Sequence, residues 1–182
     1  MAKLTNQIVI EKAKQLGFDL VGFAKADLLV EESIKLESWL ENGYQASMSY
    51  MEKNFYKRKD VREILPTAKS VISLAINYYT PEKNSNETNK GKACLPVGKV
   101  SRYAWGKDYH LIIWQKLDEL ELMLKEVDPE FESLSYVDTG PVMDKAWAVR
   151  AGIGWMGKHT NVINPDYGSW FFIATIITNY EF

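Results

Sequence analysis

Cysteine is almost missing from this chain. Of its 182 residues only Cys94 carries a thiol, which excludes an internal disulfide framework and any all-cysteine metal or cluster site built by the chain alone. Histidine is nearly as scarce. His110 and His159 are the two present, and they stand too far apart in sequence to read as a metal signature. Neither charge sign dominates: 22 Lys and Arg face 24 Asp and Glu, a net charge of −2. The chain therefore has no global basic field of the kind that binds nucleic acid unaided. No apolar run reaches the roughly 20 residues of a membrane span, and the N-terminal MAKLTNQIVIEKAKQ mixes charges unlike a signal peptide. A cytoplasmic protein without membrane contact is expected. Neither a GxGxxG nor a GxxxxGK[ST] loop occurs, so Rossmann and P-loop machinery are not expected.

What is present describes a folded chain. Hydrophobic residues make up 46% and charged residues 25%, and this length suits one domain over residues 1–182. Aromatics reach 13%, with six tryptophans, which suits a stacking pocket and an ordinary core equally.

Thr5 can cap a first helix that carries Val9, Ala13 and Leu16 on one face, with Gly17 ending it. Phe18 to Ala24 reads as a buried strand, and a helix from about Glu31 to Asn42 ends at Gly43. Met48 to Met51 predicts a short helical turn leading into a charged loop, Lys53 to Asp60, which holds Arg58. Ser70 to Tyr78, β-branched and bounded by Pro66 and Pro81, is the clearest strand. Residues 80–99 are polar and aperiodic, and a mobile surface loop is expected there. Ile113, Leu117, Leu120, Leu124 and Val127 mark the longest amphipathic helix. Ser169 to Thr178 is nearly all apolar and reads as a central strand. Strands and helices do not alternate strictly, so the expected fold is α+β: a mostly antiparallel or mixed sheet flanked by helices.

The most informative stretch lies between Tyr136 and Trp170. A strand runs into Asp138, and Thr139-Gly140-Pro141 is expected to turn directly into a helix with Pro141 at its first position. Val142, Ala146 and Val149 give that helix a buried face, and it should stop at Ala151-Gly152-Ile153-Gly154. An acid at a strand end, beside a helix start and a glycine-relieved corner, is a common way to build a small-molecule site. Asp138 is therefore the candidate proton donor or acceptor, and a turn acid serving the helix N-terminus is the even alternative. Those two roles oppose each other, since a helix N-terminus favours a carboxylate whereas proton donation needs the neutral acid. Arg58, Arg102, Lys107 and Lys158 are candidate anion-binding groups, although solvated surface charge is the commoner fate of any one of them. His110 begins an apolar stripe and reads as a core histidine, while His159 beside Lys158 is the better site candidate. Tyr103, Trp105 and Tyr109 could stack on a ring system or simply fill the core.

SRYAWGKDYH (Ser101 to His110) together with VDTGPVMDKAWAVRAGIGWMGKHTNVINPDYGSWFF closely resembles the catalytic domain of epoxyqueuosine reductases. The upstream pieces agree in order: Tyr50-Met51, Arg58-Lys59-Asp60, and ILPTAKSVISLAINY. The resemblance covers nearly the whole chain. It implies reduction of the epoxide of epoxyqueuosine, at the wobble position of certain tRNAs, to the alkene of queuosine. It further implies cobalamin held without its own lower base, and 4Fe–4S clusters that feed it electrons. Asp138 matches the family's proton donor, and Arg58, Ser101, Val162 and Ile173 fall on positions that line the cobalamin. Lys158, His159 and Asn161 share that corner as further contacts. The family's catalytic fold looks like that of flavin nitroreductases and of cobalamin-processing proteins. Its members continue into a ferredoxin-like module, which this chain is expected to lack, so electrons would come from an iron–sulfur partner or module. Two other readings stay open: an FMN-dependent reductase, with Arg58 and Lys158 on the FMN phosphate, and a non-enzymatic corrinoid carrier.

Overall fold

The computed structural model describes residues 3–84 and 98–182. The chain opens with α1 (Asn6–Gln15), whose first turn is capped by the Thr5 hydroxyl accepting from the Ile8 amide. Strand β1 (Leu20–Lys25) follows, then α2 (Val30–Glu41) and two single-turn helices, α3 (Tyr50–Lys53) and α4 (Phe55–Lys59). Next come β2 (Ser70–Asn77), the long α5 (Tyr109–Val127), β3 (Ser133–Tyr136) and α6 (Asp144–Arg150). A small hairpin, β4 (Trp155–Met156) with β5 (Val162–Ile163), leads to the last strand, β6 (Phe171–Thr178).

The main sheet is wholly antiparallel, in the order β1-β2-β6-β3. Its two long inner strands pair over their full length, from Ser70↔Thr178 to Asn77↔Phe171. Alternation of side chains then divides the sheet into two faces. Ile72, Leu74, Ala174 and Ile176 pack with Val9 and Ala13 of α1 and with Ile113, Leu117, Leu120 and Leu124 of α5. Val71 and Ile177 face the other way, onto Ala146 and Trp147 of α6. The sheet is thus covered on both sides, which is why β2 reads as an almost unbroken buried run.

Helices α1, α2 and α6 end in the same way. Gly17, Gly43 and Gly152 take positive φ, and the next amide bonds back to the third residue from the helix end, for example Ile153 N–H to the Ala148 carbonyl at 2.9 Å. A left-handed residue at that place is stabilised by two capped carbonyls, and glycine takes it without steric cost. The end of α6 lies so close to β1 that a Cβ on Gly22 would come within 2.1 Å of the Ala151 carbonyl oxygen.

Two local expectations are corrected. Arg58 is not in a loop: it sits on α4 and is buried, because α4 packs against α2 and turns that side chain inward. Pro141 does not open a helix either. Residues 138–143 form a non-helical loop, and α6 begins only at Asp144. That loop is held by tertiary contacts of its own, described below. Of the expected loop over 80–99, residues 85–97 and with them Cys94 lie outside the described residues, and residues 80–84 and 98–99 are irregular.

Candidate active site

Strand β3 ends at Tyr136, and the chain reverses sharply around Asp138. The Thr139 amide bonds to the Val137 carbonyl at 2.5 Å, and Asp138 between them has φ +53°. A three-residue turn of this hand is rare and costs a non-glycine residue backbone energy, so the surroundings must hold it in place. Two contacts do so. The Tyr109 hydroxyl, at the start of α5, donates to Asp138 Oδ2, and Arg58 Nη1 reaches the Gly140 carbonyl at 3.4 Å. Gly140 must be glycine, since a Cβ there would meet the Tyr136 ring at 2.0 Å.

The phenol that grips Asp138 is itself anchored. Its ring lies flat on Phe172 of β6, with centroids 4.0 Å apart and planes at 6°, and His110 stacks nearby at 4.1 Å. Burial, and then the bond to Asp138, push the Tyr109 hydroxyl's pKa well above the ordinary tyrosine range, so it stays a donor at neutral pH.

Asp138 stands where three cavities meet. The largest, about 630 Å³, lies between α2 and α6 and is walled by apolar side chains such as Leu36, Met51, Val142 and Met156, with Arg58, Asp144 and Lys145 among its polar groups. A second, about 300 Å³, is lined by Tyr78, Tyr103, Tyr109, Phe172 and Ile173. A third, about 520 Å³, lies over Tyr50, Asn54 and Pro141. Asp138 is the one residue common to the walls of all three.

Directly behind it is a second acid that sequence reasoning passed over. Asp144 opens α6, lines the two cavities that also hold Ile173 and Val142, and accepts a 2.6 Å bond from Thr175 Oγ1 on β6. Burial raises its pKa to about 7, the charge of Asp138 adds to the rise, and the Thr175 bond and Arg58 oppose it. Only the inward turn of α6 distinguishes Asp144 from an ordinary first-turn acid, and that turn is a tertiary fact.

The expected site residues are distributed unevenly. Arg58 and Ile173 line cavities that hold Asp138. Arg58 is 8% exposed, and its Nε is buried without a hydrogen-bond partner. Asn161 is exposed on the β4–β5 turn, where its Oδ1 accepts from Lys145 Nζ at 2.8 Å; Lys145 also reaches the Thr160 carbonyl at 2.9 Å. His159 on the same turn contacts Ser169 Oγ at 3.2 Å, and Lys158 beside it is exposed. Val162 is buried among Ala75, Ala148, Ile153 and Phe171. Ser101 is exposed at the head of a single 3₁₀ turn, Arg102–Ala104, and lines none of the three cavities. Of the other cations considered, Arg102 stacks on Tyr79, Trp105 and Trp170 at 5.1–5.6 Å. His110 pairs with Asp108 Oδ1 at 2.8 Å rather than sitting in the core. No group of three or more potential metal-ligating side chains occurs among the described residues.

Comparison with known proteins agrees with this architecture. Residues 58–139 match the family model described as Epoxyqueuosine reductase QueG, DUF1730. An epoxyqueuosine reductase of Synechocystis sp. is 48% identical over 149 residues, covering 82% of this chain and 48% of that protein. The solved structure of epoxyqueuosine reductase from Streptococcus thermophilus superposes with a TM-score of 0.85 at 32% identity, over 97% of this chain and 46% of that one. A further crystal structure, of epoxyqueuosine reductase with a tRNA-Tyr epoxyqueuosine-modified stem loop, superposes at 0.83 with 35% identity, over 97% and 45%. The chain spans about half the length of the relatives it matches. With its sequence matched at this level and its fold superposed almost throughout, the chain belongs to the epoxyqueuosine reductase family.

Proposed function

We propose that this chain carries the epoxide-reducing site of an epoxyqueuosine reductase, acting on epoxyqueuosine in tRNA with cobalamin beside Asp138. The observation that carries the reading is the placement of Asp138: a carboxyl presented on a tight turn, held by Tyr109, at the junction of a broad apolar cavity and a smaller aromatic one. Opening an epoxide needs an acid at the departing oxygen, and a carboxyl held at the mouth of an apolar cavity can supply it once a bound cofactor and substrate cover it.

The residues present fit a flat polycyclic cofactor with polar edges. Val142, Met143 and Met156 offer an apolar wall. The unpartnered Nε of buried Arg58 and the ammonium of Lys145 offer donors at its margin. Within the same reading, Ile173 bounds the aromatic cavity, Lys158, His159 and Asn161 form the rim at the β4–β5 turn, and Ser101 and Val162 remain expected contacts. Bound cobalamin would supply the two reducing electrons, received from the 4Fe–4S clusters that the family resemblance implies. The protein's own part is to orient the substrate, exclude water and place Asp138 where it can pass a proton to the departing oxygen. Arg58 and Tyr109 keep that carboxyl in place.

Titration of the purified chain with cobalamin, followed by visible absorbance and calorimetry, tests the reading. A saturable change to the base-off spectrum is expected. Tight FMN binding with no response to cobalamin would replace it with the flavin reductase. Asp138→Asn should bind cobalamin almost normally; normal epoxide reduction by that variant, joined to a complete cluster module, would overturn the assignment of Asp138 as proton donor.

A further inference from the structure

Reduction of an epoxide to an alkene consumes two protons as well as two electrons. Both C–O bonds break, a C=C bond forms from the electron pair, and the oxygen departs as water. Asp138 can deliver one proton. We infer that Asp144 is the second proton donor of this site, giving its carboxyl proton to the departing oxygen across the cavities it shares with Asp138.

This inference rests on the epoxide-reducing reading and extends it to a residue outside the expected set. Four observations support it. Asp144 and Asp138 line the same two cavities, the apolar one and the aromatic one. Asp144 keeps a partly accessible edge while the rest of its side chain is enclosed. One of its oxygens is fixed by Thr175 Oγ1 at 2.6 Å, and the backbone amide of Asp144 itself also bonds to the carboxyl, so the group is held in one orientation toward the shared cavities. No Lys or Arg forms an ion pair with it among the described residues, although Arg58 and Lys145 share its cavity. The groups facing it are thus Arg58 from α4, Asp138 from the β3 loop with Tyr109 behind it, Thr175 from β6 and Lys145 from its own helix. Burial and the Asp138 charge raise the Asp144 carboxyl's pKa to about 7, against the Thr175 bond, the group's own backbone amide and Arg58. An acid so poised gives up a proton and regains one from solvent with little cost in either direction.

Carboxyl-detected NMR of this chain across pH 5–9 is the first test and needs no cofactor. A carboxyl titrating near neutrality is expected, absent in Asp144→Asn and moved to lower pH in Asp138→Asn, where the neighbouring charge is gone. No such carboxyl, or one indifferent to Asp138→Asn, would overturn the inference. The second test is single-turnover reduction by the chain joined to a cluster module. Asp144→Asn should slow it at least tenfold and flatten its alkaline limb, and Asp144→Glu should restore much of the rate. An unchanged rate and pH profile in Asp144→Asn would refute the proton role even if the titration is as expected. A wild-type protein that titrates as described yet reduces no epoxide would instead refute the proposed function, and the donor role with it.

Discussion

Tyr109 donates its hydroxyl hydrogen bond to Asp138, 29 residues further along the chain, while its ring is stacked on Phe172. One side chain therefore joins the first turn of α5, the last strand of the sheet and the loop that carries the candidate acid. Replacing it with phenylalanine keeps the stack and removes only the bond. Tyr109→Phe should keep stability within about 1 kcal/mol, the usual net worth of one such bond, while epoxide reduction in a cluster-joined protein falls on the order of tenfold or more. Chemical denaturation alongside single-turnover assays checks both halves.

Gly140 serves the same turn differently. Its Cβ position is occupied by the Tyr136 ring at 2.0 Å, so Gly140→Ala must displace either that ring or the loop. The expected outcome is loss of Asp138 presentation, with a cost on the order of 1–3 kcal/mol typical of overpacking. Amide spectra should show the changes concentrated in residues 136–144.

Gly22 lies far from the acid and tests the fold alone. A Cβ there would meet the Ala151 carbonyl at 2.1 Å, where β1 receives the end of α6. Backbone cannot yield as a flexible side chain can, so Gly22→Ala should destabilise by roughly 2 kcal/mol or more. Urea unfolding measures it, and a neutral result would mean that α6 is free to shift on the sheet.

Asp144 makes stability depend on pH. Its folded pKa, about 7, lies above the ordinary carboxyl value of about 4. Below pH 4 both folded and unfolded chains hold the proton. Between 4 and 7 only the folded chain does, so this group's contribution falls as pH rises, and the full penalty is present above 7. Asp144→Asn removes the penalty and can still accept from Thr175. The variant should gain on wild type between pH 5 and pH 8, by on the order of 1 kcal/mol once water at the open edge is allowed for. Paired urea melts at the two pH values check the sign.

Much of the frame was legible. Ser70 to Tyr78 and Ser169 to Thr178 read as strands because β-branched and apolar residues run together, and they are the two inner strands of the sheet. Gly17, Gly43 and Gly152 punctuate helices because only glycine takes their positive φ cheaply. Asp138 stood out by its place after a strand. The helix expected from Pro141 failed for a reason invisible in local sequence: Tyr109, Arg58 and the Tyr136 ring hold residues 138–143 in a strained loop that no local pattern encodes. Arg58 was legible as a residue to watch, whereas its burial was not.

The sequence by itself determined the class of fold, the positions of its long elements and, through extended motifs, the family. Those properties depend on periodicity, caps and turns, which act between residues a few places apart. Tertiary structure alone decided which acids share a cavity. Asp138 and Asp144 come from a strand end and a helix start, Tyr109 from another helix, Thr175 from a fourth element, and Arg58 from a fifth. Their protonation and orientation depend on burial and on charges brought together by packing, which no spacing along the chain records.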